Sequence, residues 1–406
     1  MSVAYIHENI NIFIFICLIL FVLFYKIQHT FLYHSTLPVF KKYEIWKWIQ
    51  KPKLVVHSFD ETSKFYDTIN TTTVNITDTE LIKSDIEQHC VDLKNNFFSS
   101  NQILEYNYIP SISYITALHT KNSFLSSYTV NHKVISRIFS RQLHLCMYRK
   151  QLCSFEDHEI QFNDFICTDP VFRKKQHTQR LIYTHMANIC NQSKANYNHK
   201  RQTTNKIFIA KYENTTLPLI PLVTYYSYAY NIVQLNSELK EYDLTPAQIS
   251  RINEHNIQLY YQFLLFLKES KLFHLVLHES IYKVKHLIKQ NILYIYALHY
   301  KQKVFALYIF HDTHTQFKNK NIIECISSAR HSECDDKLFN DTFIYVLQQL
   351  KLHKYSILIL ECTSHNVSLQ NHMNEHIRSL YSLSVSYNIV NYQQIPYYPI
   401  QCFFVL

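Results

Sequence analysis

Not one glycine occurs among the 406 residues of this chain, where average usage would give roughly 7%. That absence constrains the backbone before any motif is read. Every position that needs a positive φ must go to Asn, Asp or another residue held under strain. Ligand loops that depend on glycine, the P-loop and the dinucleotide fingerprint among them, are excluded as written. The wealth of Asn, Ile, Lys, Tyr and Phe fits an A+T-rich coding sequence, but the complete loss of glycine goes beyond that and has no physical account.

The length leaves room for two or three domains. Hydrophobic residues make up 47% and charged residues 17%, so a large core is available and general disorder is excluded. The net charge of +9 suits an anionic ligand or a membrane surface. It is spread along the chain, without the basic cluster and interleaved aromatics of a nucleic-acid binder, so no nucleic-acid partner is expected. Ten cysteines are scattered with no C-x-x-C pair, and they read as mostly free thiols rather than a disulfide framework. Sequons at Asn70, Asn75, Asn191, Asn214, Asn340 and Asn366 are largely chance in such a composition and matter only in a lumenal domain.

Residues 10–25 form an uncharged apolar run, Ile10-Asn-Ile-Phe-Ile-Phe-Ile-Cys-Leu-Ile-Leu-Phe-Val-Leu-Phe-Tyr25. It approaches the roughly 17–25 residues of a spanning helix. Lys26, Lys41, Lys42, Lys47, Lys51 and Lys53 follow it, and no Lys or Arg precedes it, which turns the bulk of the chain to the cytoplasm. The expectation is a transmembrane anchor over 1–28 and a linker over 29–42. A cleaved signal peptide would need a basic n-region and a small-residue site that are missing here. An apolar packing helix is the remaining alternative.

Further along, Phe162-Asn-Asp-Phe-Ile-Cys-Thr-Asp-Pro170 reads as a strand closed by proline, and Leu181, Ile182, His185, Met186 and Ile189 recur at helical spacing. Between them, Arg173, Lys174 and Lys175 sit where the helix begins. A helix N-terminus presents unpaired N–H groups and the positive end of its dipole, so it binds phosphate, and added cations suit a pyrophosphate. A basic turn between two core elements fits the same residues.

Asp164-Phe-Ile-Cys-Thr-Asp-Pro-Val-Phe-Arg173-Lys-Lys-Gln-His-Thr-Gln-Arg-Leu-Ile182 resembles the acyl-CoA loop N-F-L-C-V-H-K-x-L-R-S-K-R-L-A-P-x-L-I of the N-myristoyltransferase family, within the acetyltransferase-like (GNAT) superfamily. Tyr43-Glu-Ile-Trp46-Lys-Trp-Ile-Gln50-Lys-Pro52 resembles the family's Y-x-F-W-x-T-Q-P-V segment, with one extra residue and Ile45 for Phe. Ile207-Phe-Ile-Ala-Lys-Tyr-Glu213, with Leu217-Pro218, Pro221 and Thr224 beyond it, is similar to I-F-Q-A-V-Y-T-A-G-V-V-L-P-x-P-x-x-T. Leu338–Leu350 matches the helix L-M-x-D-A-L-x-L-A, and Tyr355-Ser-Ile-Leu-Ile-Leu-Glu-Cys-Thr-Ser-His-Asn366 follows where the family has F-D-V-F-N-A-L-D-L-M-E-N. The likeness therefore runs from residue 43 to the last residue.

The resemblance implies an α/β (α+β) protein of two tandem GNAT-like halves, each a mixed, mostly antiparallel sheet flanked by helices. The first, 43–235, would bind acyl-CoA and the second, 236–406, a peptide. It implies a monomeric protein N-myristoyltransferase that moves the acyl group of myristoyl-CoA, its donor substrate, to an N-terminal glycine amine, with no separate cofactor. The amides of Phe165 and Ile166 would form the oxyanion hole, and the carboxylate of Leu406 would be the base. Tyr43, Glu44, Ile45, Trp46, Cys167, Thr168, Arg173, Lys174, Lys175, Gln176, His177 and Thr178 would hold the CoA, and Asp164, Tyr212 and Glu213 would meet the peptide. Asp164 replaces an Asn and Glu213 a Thr. The family's R after the two basic residues is Gln176 here, and its peptide-site G-D-G and a peptide-contacting His are missing. A catalytically altered acyl-CoA-binding relative is the alternative. His372-Met-Asn-Glu375-His376 fits the zinc-peptidase pattern H-x-x-E-H. Only residues 377–406 remain for a downstream third ligand, so a polar helix face is expected there and no metal.

Overall fold

The computed structural model describes residues 13–23, 25–26, 32–55, 59–76, 79–96, 106–119, 122–149, 154–195, 206–213, 219–235, 248–301 and 303–406. Its first half contains helix α1 (Thr79–Asn96), helix α2 (Ile112–Leu118), and strands β1 (Phe124–Val130), β2 (Lys133–Arg149) and β3 (Ser154–Thr168). Helix α3 (His177–Ala195) and strands β4 (Ile207–Glu213), β5 (Val223–Asn231) and β6 (Gln248–Arg251) follow. Then come α4 (Ile257–Ser270), β7 (Leu275–His278), α5 (Ile281–Lys289), β8 (Leu293–Tyr300), β9 (Lys303–His311) and β10 (Lys320–Arg330). Helix α6 (Asp336–Leu352), β11 (Tyr355–Glu361), α7 (Asn366–His376), β12 (Tyr381–Val390) and β13 (Cys402–Val405) complete the chain.

Local chemistry accounts for the helices. Leu259, Tyr260, Phe263, Leu264 and Leu267 put one apolar stripe of α4 into the core. Asp335 caps α6 by accepting from the Leu338 amide, and Ser111 caps α2 through the Tyr114 amide. The strands alternate or run fully apolar according to whether one or both faces are covered.

One sheet carries the architecture, in the order β13-β7-β2-β3-β4-β12-β5-β11-β10-β9-β8-β6. Most neighbours are antiparallel. Two parallel pairs stand on either side of the central β12–β5 pair: β3–β4, paired from Ile160↔Ile207 to Asn163↔Ala210, and β10–β11, paired from Asn321↔Tyr355 to Cys325↔Leu360. In each, the earlier strand continues past the last pair, so the two strands part into a V. A helix, α3 or α6, connects the members of each pair, as parallel strands require. β5 comes from the first half and β12 from the second, yet each pairs into the other's territory. Strands of both expected halves thus build one continuous sheet. The proposed boundary near 236 lies outside the described residues.

Four expectations need correction or restriction. Val134–Phe139 and Gln142–Arg149 each carry the residue pattern of a separate strand, yet they form one strand, β2. The intervening Ser140-Arg141 is polar but buried, and Arg141 meets two carboxylates there, so nothing forces a turn. The transmembrane anchor is not supported. Residues 13–23 are helical and exposed, but no helix among the described residues is long and apolar enough to cross a membrane. A helix over 13–23 spans only about 16 Å, near half of a hydrocarbon core. Residues 10–12 and 24 of that run lie outside the described residues, as does Leu217-Pro218. The 29–42 linker is instead partly packed: Leu37, Val39 and Phe40 are buried, and the Phe40 carbonyl accepts from the Ile220 amide at 2.7 Å.

The missing glycine leaves its mark in the backbone. Positive φ falls on Asn122, Asn131, Asn291, Asn319 and Asn391, but also on Lys174, Lys271, Lys301, Lys318, Lys354, His132, His314, Gln176, Ser364 and Phe165. A side chain with Cβ costs about 1–2 kcal/mol in the left-handed region. Lys354 follows α6, is exposed, and holds φ 77°. Lys354→Gly should therefore raise stability by about 0.5–1 kcal/mol, the relief of strain less glycine's extra chain entropy. A higher urea midpoint at unchanged slope is the expected readout.

Candidate active site

The site begins with an irregularity in β3. The β2–β3 ladder pairs Phe139 with Asp164 and Arg137 with Cys167, so Phe165 and Ile166 together face Ile138. This is a bulge with its first residue in the left-handed region, Phe165 at φ 49°, a place where glycine is usual. The surroundings hold it. The Phe165 ring stacks on Tyr108 at 6.2 Å and meets the edges of Tyr114 and His119 at 6.1 and 5.6 Å. Its carbonyl takes a hydrogen bond from His89 Nε2 at 3.1 Å. A carbonyl only accepts, so that nitrogen carries the proton. Burial, with Arg137 nearby, drives the His89 pKa down to about 3, and the ring is neutral. The bulge interrupts the ladder just beyond the last β3–β4 pair, Asn163↔Ala210.

Beyond the bulge, Asp169 caps a short turn at Pro170–Phe172 and pairs with Lys133 at 3.0 Å. Lys174 and Gln176 take φ 63° and 65°, and α3 starts at His177. The first amides of α3 have no partner within the helix. Thr178 Oγ1 ties this end back to Thr168 Oγ1 at 2.8 Å, and Thr168 to Ser136 at 2.7 Å. Lys174 and Lys175 are exposed. Arg173 instead turns inward: its Nε donates to the Thr168 carbonyl at 3.1 Å and its Nη2 to that of Asn96. It fastens the loop to α1. Cys167 is buried against the Asp92 carbonyl, with its thiol pushed up to about 12 by burial and the Asp92 charge.

The strand bulge and the N-terminus of α3 thus stand together at the end of the β3–β4 parallel pair. Solved structures carry the same architecture. A Saccharomyces cerevisiae N-myristoyltransferase with bound myristoyl-CoA superposes with a TM-score of 0.65 at 11% identity, over 90% of this chain and 88% of that one. A second structure of that yeast enzyme with myristoyl-CoA gives 0.65 at 12% identity over 91% and 94%. The fold is that of N-myristoyltransferase. Sequence comparison finds no matching family model and no matching curated relative.

Within this N-myristoyltransferase fold the remaining expected residues are dispersed. Tyr43–Trp46 lies where Glu44 pairs with Lys47 at 2.7 Å and the Lys47 carbonyl accepts from Gln393 Nε2 at 2.6 Å. Trp46 is 79% exposed. Asp164 does not face the site as a free acid, since Arg141 Nε holds it at 2.6 Å. Glu213 ends β4 beside Val385, and Tyr212 lies half-buried on the opposite face of that strand. Leu406 is buried just past β13, which runs parallel to β7, and the Val405 carbonyl accepts from the Glu279 amide at 3.2 Å. His372, Glu375 and His376 do share one face of α7, their donor atoms within 4.8 Å of one another, with His372 half-buried and the other two exposed.

A buried polar system under the bulge was not read from the sequence. Arg141 bridges Asp164 and Glu279 and lies over the Phe162 ring at 5.5 Å. Burial pushes both carboxyls up, and Arg141 pulls them back. Tyr114 OH and His311 Nε2 are 3.3 Å apart, and His311 Nδ1 lies 4.0 Å from Glu324. Lys211 donates to Glu324 at 2.8 Å and to Glu361. The available signal was charge inside apolar strands: Glu324 in Ile322-Ile-Glu-Cys-Ile326, and Glu361 ending Ile357-Leu-Ile-Leu360.

Proposed function

We propose that this chain is an acyl-CoA-dependent N-acyltransferase, and specifically a protein N-myristoyltransferase acting on N-terminal glycine amines. The observation that carries the reading is the Phe165–Ile166 bulge at the open end of β3–β4, next to the N-terminus of α3. The Phe165 and Ile166 amides polarise the thioester carbonyl and hold the oxyanion as the amine attacks. Lys174, Lys175 and the amides of Gln176, His177 and Thr178 take the CoA phosphates, while Arg173 keeps the loop in shape. The terminal carboxylate at Leu406 accepts the proton of the amine. The first half serves acyl-CoA and the second the peptide. The chain works at the cytoplasmic face of a membrane, to which the exposed apolar side chains of residues 13–23 and the lysines after them are suited.

The test is equilibrium dialysis with myristoyl-CoA, followed in the same sample by transfer to a glycine-initiated peptide. Binding with turnover is expected, and absence of binding sinks the reading. The Lys174→Ala/Lys175→Ala pair should raise the KM for myristoyl-CoA about tenfold with kcat little changed, because these contacts are the same in ground and transition states. Removal of Leu406 should cut turnover by about 10²–10⁴-fold while binding persists. Binding without turnover in the intact chain would favour the altered relative, a reading suggested by the charges that Asp164, Lys211 and Glu361 bring beneath the bulge.

A further inference from the structure

Lys211 and Glu361 hold corresponding places in the two parallel pairs. Lys211 is the first residue of β4 beyond the last β3–β4 pair, Asn163↔Ala210, and so stands across the opening V from Asp164, just before the bulge. Glu361 is the first residue of β11 beyond the last β10–β11 pair, Cys325↔Leu360. Directly opposed residues share a face of a sheet. Lys211↔Tyr387, Tyr387↔Val223 and Ser227↔Glu361 therefore place Lys211, Tyr387 and Glu361 on one face, above the central β12–β5 pair. The Lys211 ammonium crosses that pair to reach Glu361, and Glu324 joins it at 2.8 Å. The C-terminal strand closes the far side: the Phe404 ring lies 4.7 Å from that of Tyr387, and the Phe404 amide donates to Ser327 Oγ at 2.9 Å.

Stability does not explain this arrangement. Buried ion pairs exchanged for well-packed apolar residues are often neutral or better, and the pattern that this chain resembles has Val and Leu at the positions of Lys211 and Glu361. The groups are also unequal in number, two carboxyls to one ammonium. Glu324 is held down to about 2, chiefly by Lys211 against the cost of burial, whereas burial pushes Glu361 well up. Glu361 is 1% exposed and Lys211 24%, so the lysine side chain is the more accessible partner of the pair. A primary ammonium is the group that this pair of carboxyls holds, and Lys211, which supplies it, stands across from Asp164, the residue before the bulge.

We propose that Glu324 and Glu361 form the seat for the ammonium of the acyl acceptor, and that Lys211 fills this seat from within until an acceptor displaces it. The proposal rests on the acyltransfer reading above and names its acceptor class, a primary amine that arrives charged. From the seated R–NH3+, one proton passes to a base, the C–N bond forms, the thioester C–S bond breaks, and the second proton ends on the CoA thiolate. Lys211 is then an internal competitor that sets how strongly an acceptor must bind.

Lys211→Ala in the full chain tests this with two readouts. The KM for a glycine-initiated peptide should fall about tenfold or more, since apparent affinity is reduced by the fraction of molecules whose seat is empty. The thermal midpoint of the variant should rise with butylammonium chloride and not with tetramethylammonium chloride, which has no N–H to donate. An unchanged or higher peptide KM in a variant that binds myristoyl-CoA overturns the proposal, and so does equal stabilisation by the two salts. If the wild-type chain does not bind myristoyl-CoA, the acyltransfer reading falls, and the salt comparison alone decides whether the acids seat an ammonium. Should the alanine variant fail to fold, Lys211→Met fills the space without an N–H donor and carries the same two measurements.

Discussion

Arg141→Met should destabilise the chain by about 3–5 kcal/mol at neutral pH, the usual cost of stranding buried charges by removing their partner. Arg141 is buried in β2 and is bonded to both Asp164 and Glu279. Methionine fills the space over the Phe162 ring but leaves two carboxyls without a cation. The defect has a pH signature. Burial already raises the pKa of both acids against the pull of Arg141, and loss of that pull raises them further. An acid whose folded pKa lies above its unfolded value is destabilising where the folded form must ionise, and this lessens as pH falls and the proton is taken up. The gap between wild type and variant in urea unfolding should therefore shrink from pH 8 to pH 5. Adding Asp164→Asn and Glu279→Gln should restore most of the loss at pH 7.5, because neutral amides need no counter-charge. A variant within 1 kcal/mol of wild type across that range would show that the ion network is dispensable. Asp164 directly precedes Phe165, so the same variant should also weaken myristoyl-CoA binding.

The parts of this site that the sequence announces are those with local causes. A proline after an apolar strand, three cations and then a 3.6-residue period gave β3, the loop and α3 close to where they stand, and Leu338–Leu350 falls inside α6. The charged interior has no local cause. Arg141 looks like a break in an apolar pattern until Glu279, far along the chain, is known to face it. Lys211, Glu324 and Glu361 come together only because β5 and β12 exchange partners and draw the two V openings to one centre. Arg173 shows the opposite failure: its place in a basic run suggested a phosphate ligand, yet its donors serve carbonyls of its own loop and α1. The missing glycine was informative in both directions. It excluded whole classes of ligand loop, but it concealed the bulge, since Phe165 occupies a left-handed position that sequence patterns mark by glycine.

Stability should fall on mild acidification, by about 7 kcal/mol between pH 6.5 and pH 4. Six histidines are held neutral by burial. The pKa of His89, His185 and His311 is lowered to about 3, that of His278 and His365 to about 4, and that of His119 well below the usual range. Burial away from water explains why protonation is refused, and at His365 the Nδ1 lone pair is also taken by the Arg330 amide at 3.0 Å. In the unfolded chain each takes up a proton near pH 6.5. A base whose folded pKa is depressed favours the unfolded state as soon as pH drops below the unfolded value, and goes on doing so until the folded pKa is reached. The raised carboxyls of Asp164, Glu213, Glu279 and Glu361 act in the other direction, since the folded protein protonates them first. Six against four leaves a net uptake of about two protons on unfolding, a slope of about 2.7 kcal/mol per pH unit once the histidines titrate. Between pH 6.5 and pH 4 that slope removes about 7 kcal/mol, which covers the lower part of a typical stability of about 5–15 kcal/mol. Circular dichroism at fixed ionic strength measures the midpoint. His185→Asn keeps an acceptor toward Ser126 but removes one titrating group, so the acid limb should become shallower by about one proton. A stability that stays flat from pH 7 to 4.5 would mean that these histidines take up their protons in the folded state, and the neutral ring assigned to His89 beneath the bulge would fall with it.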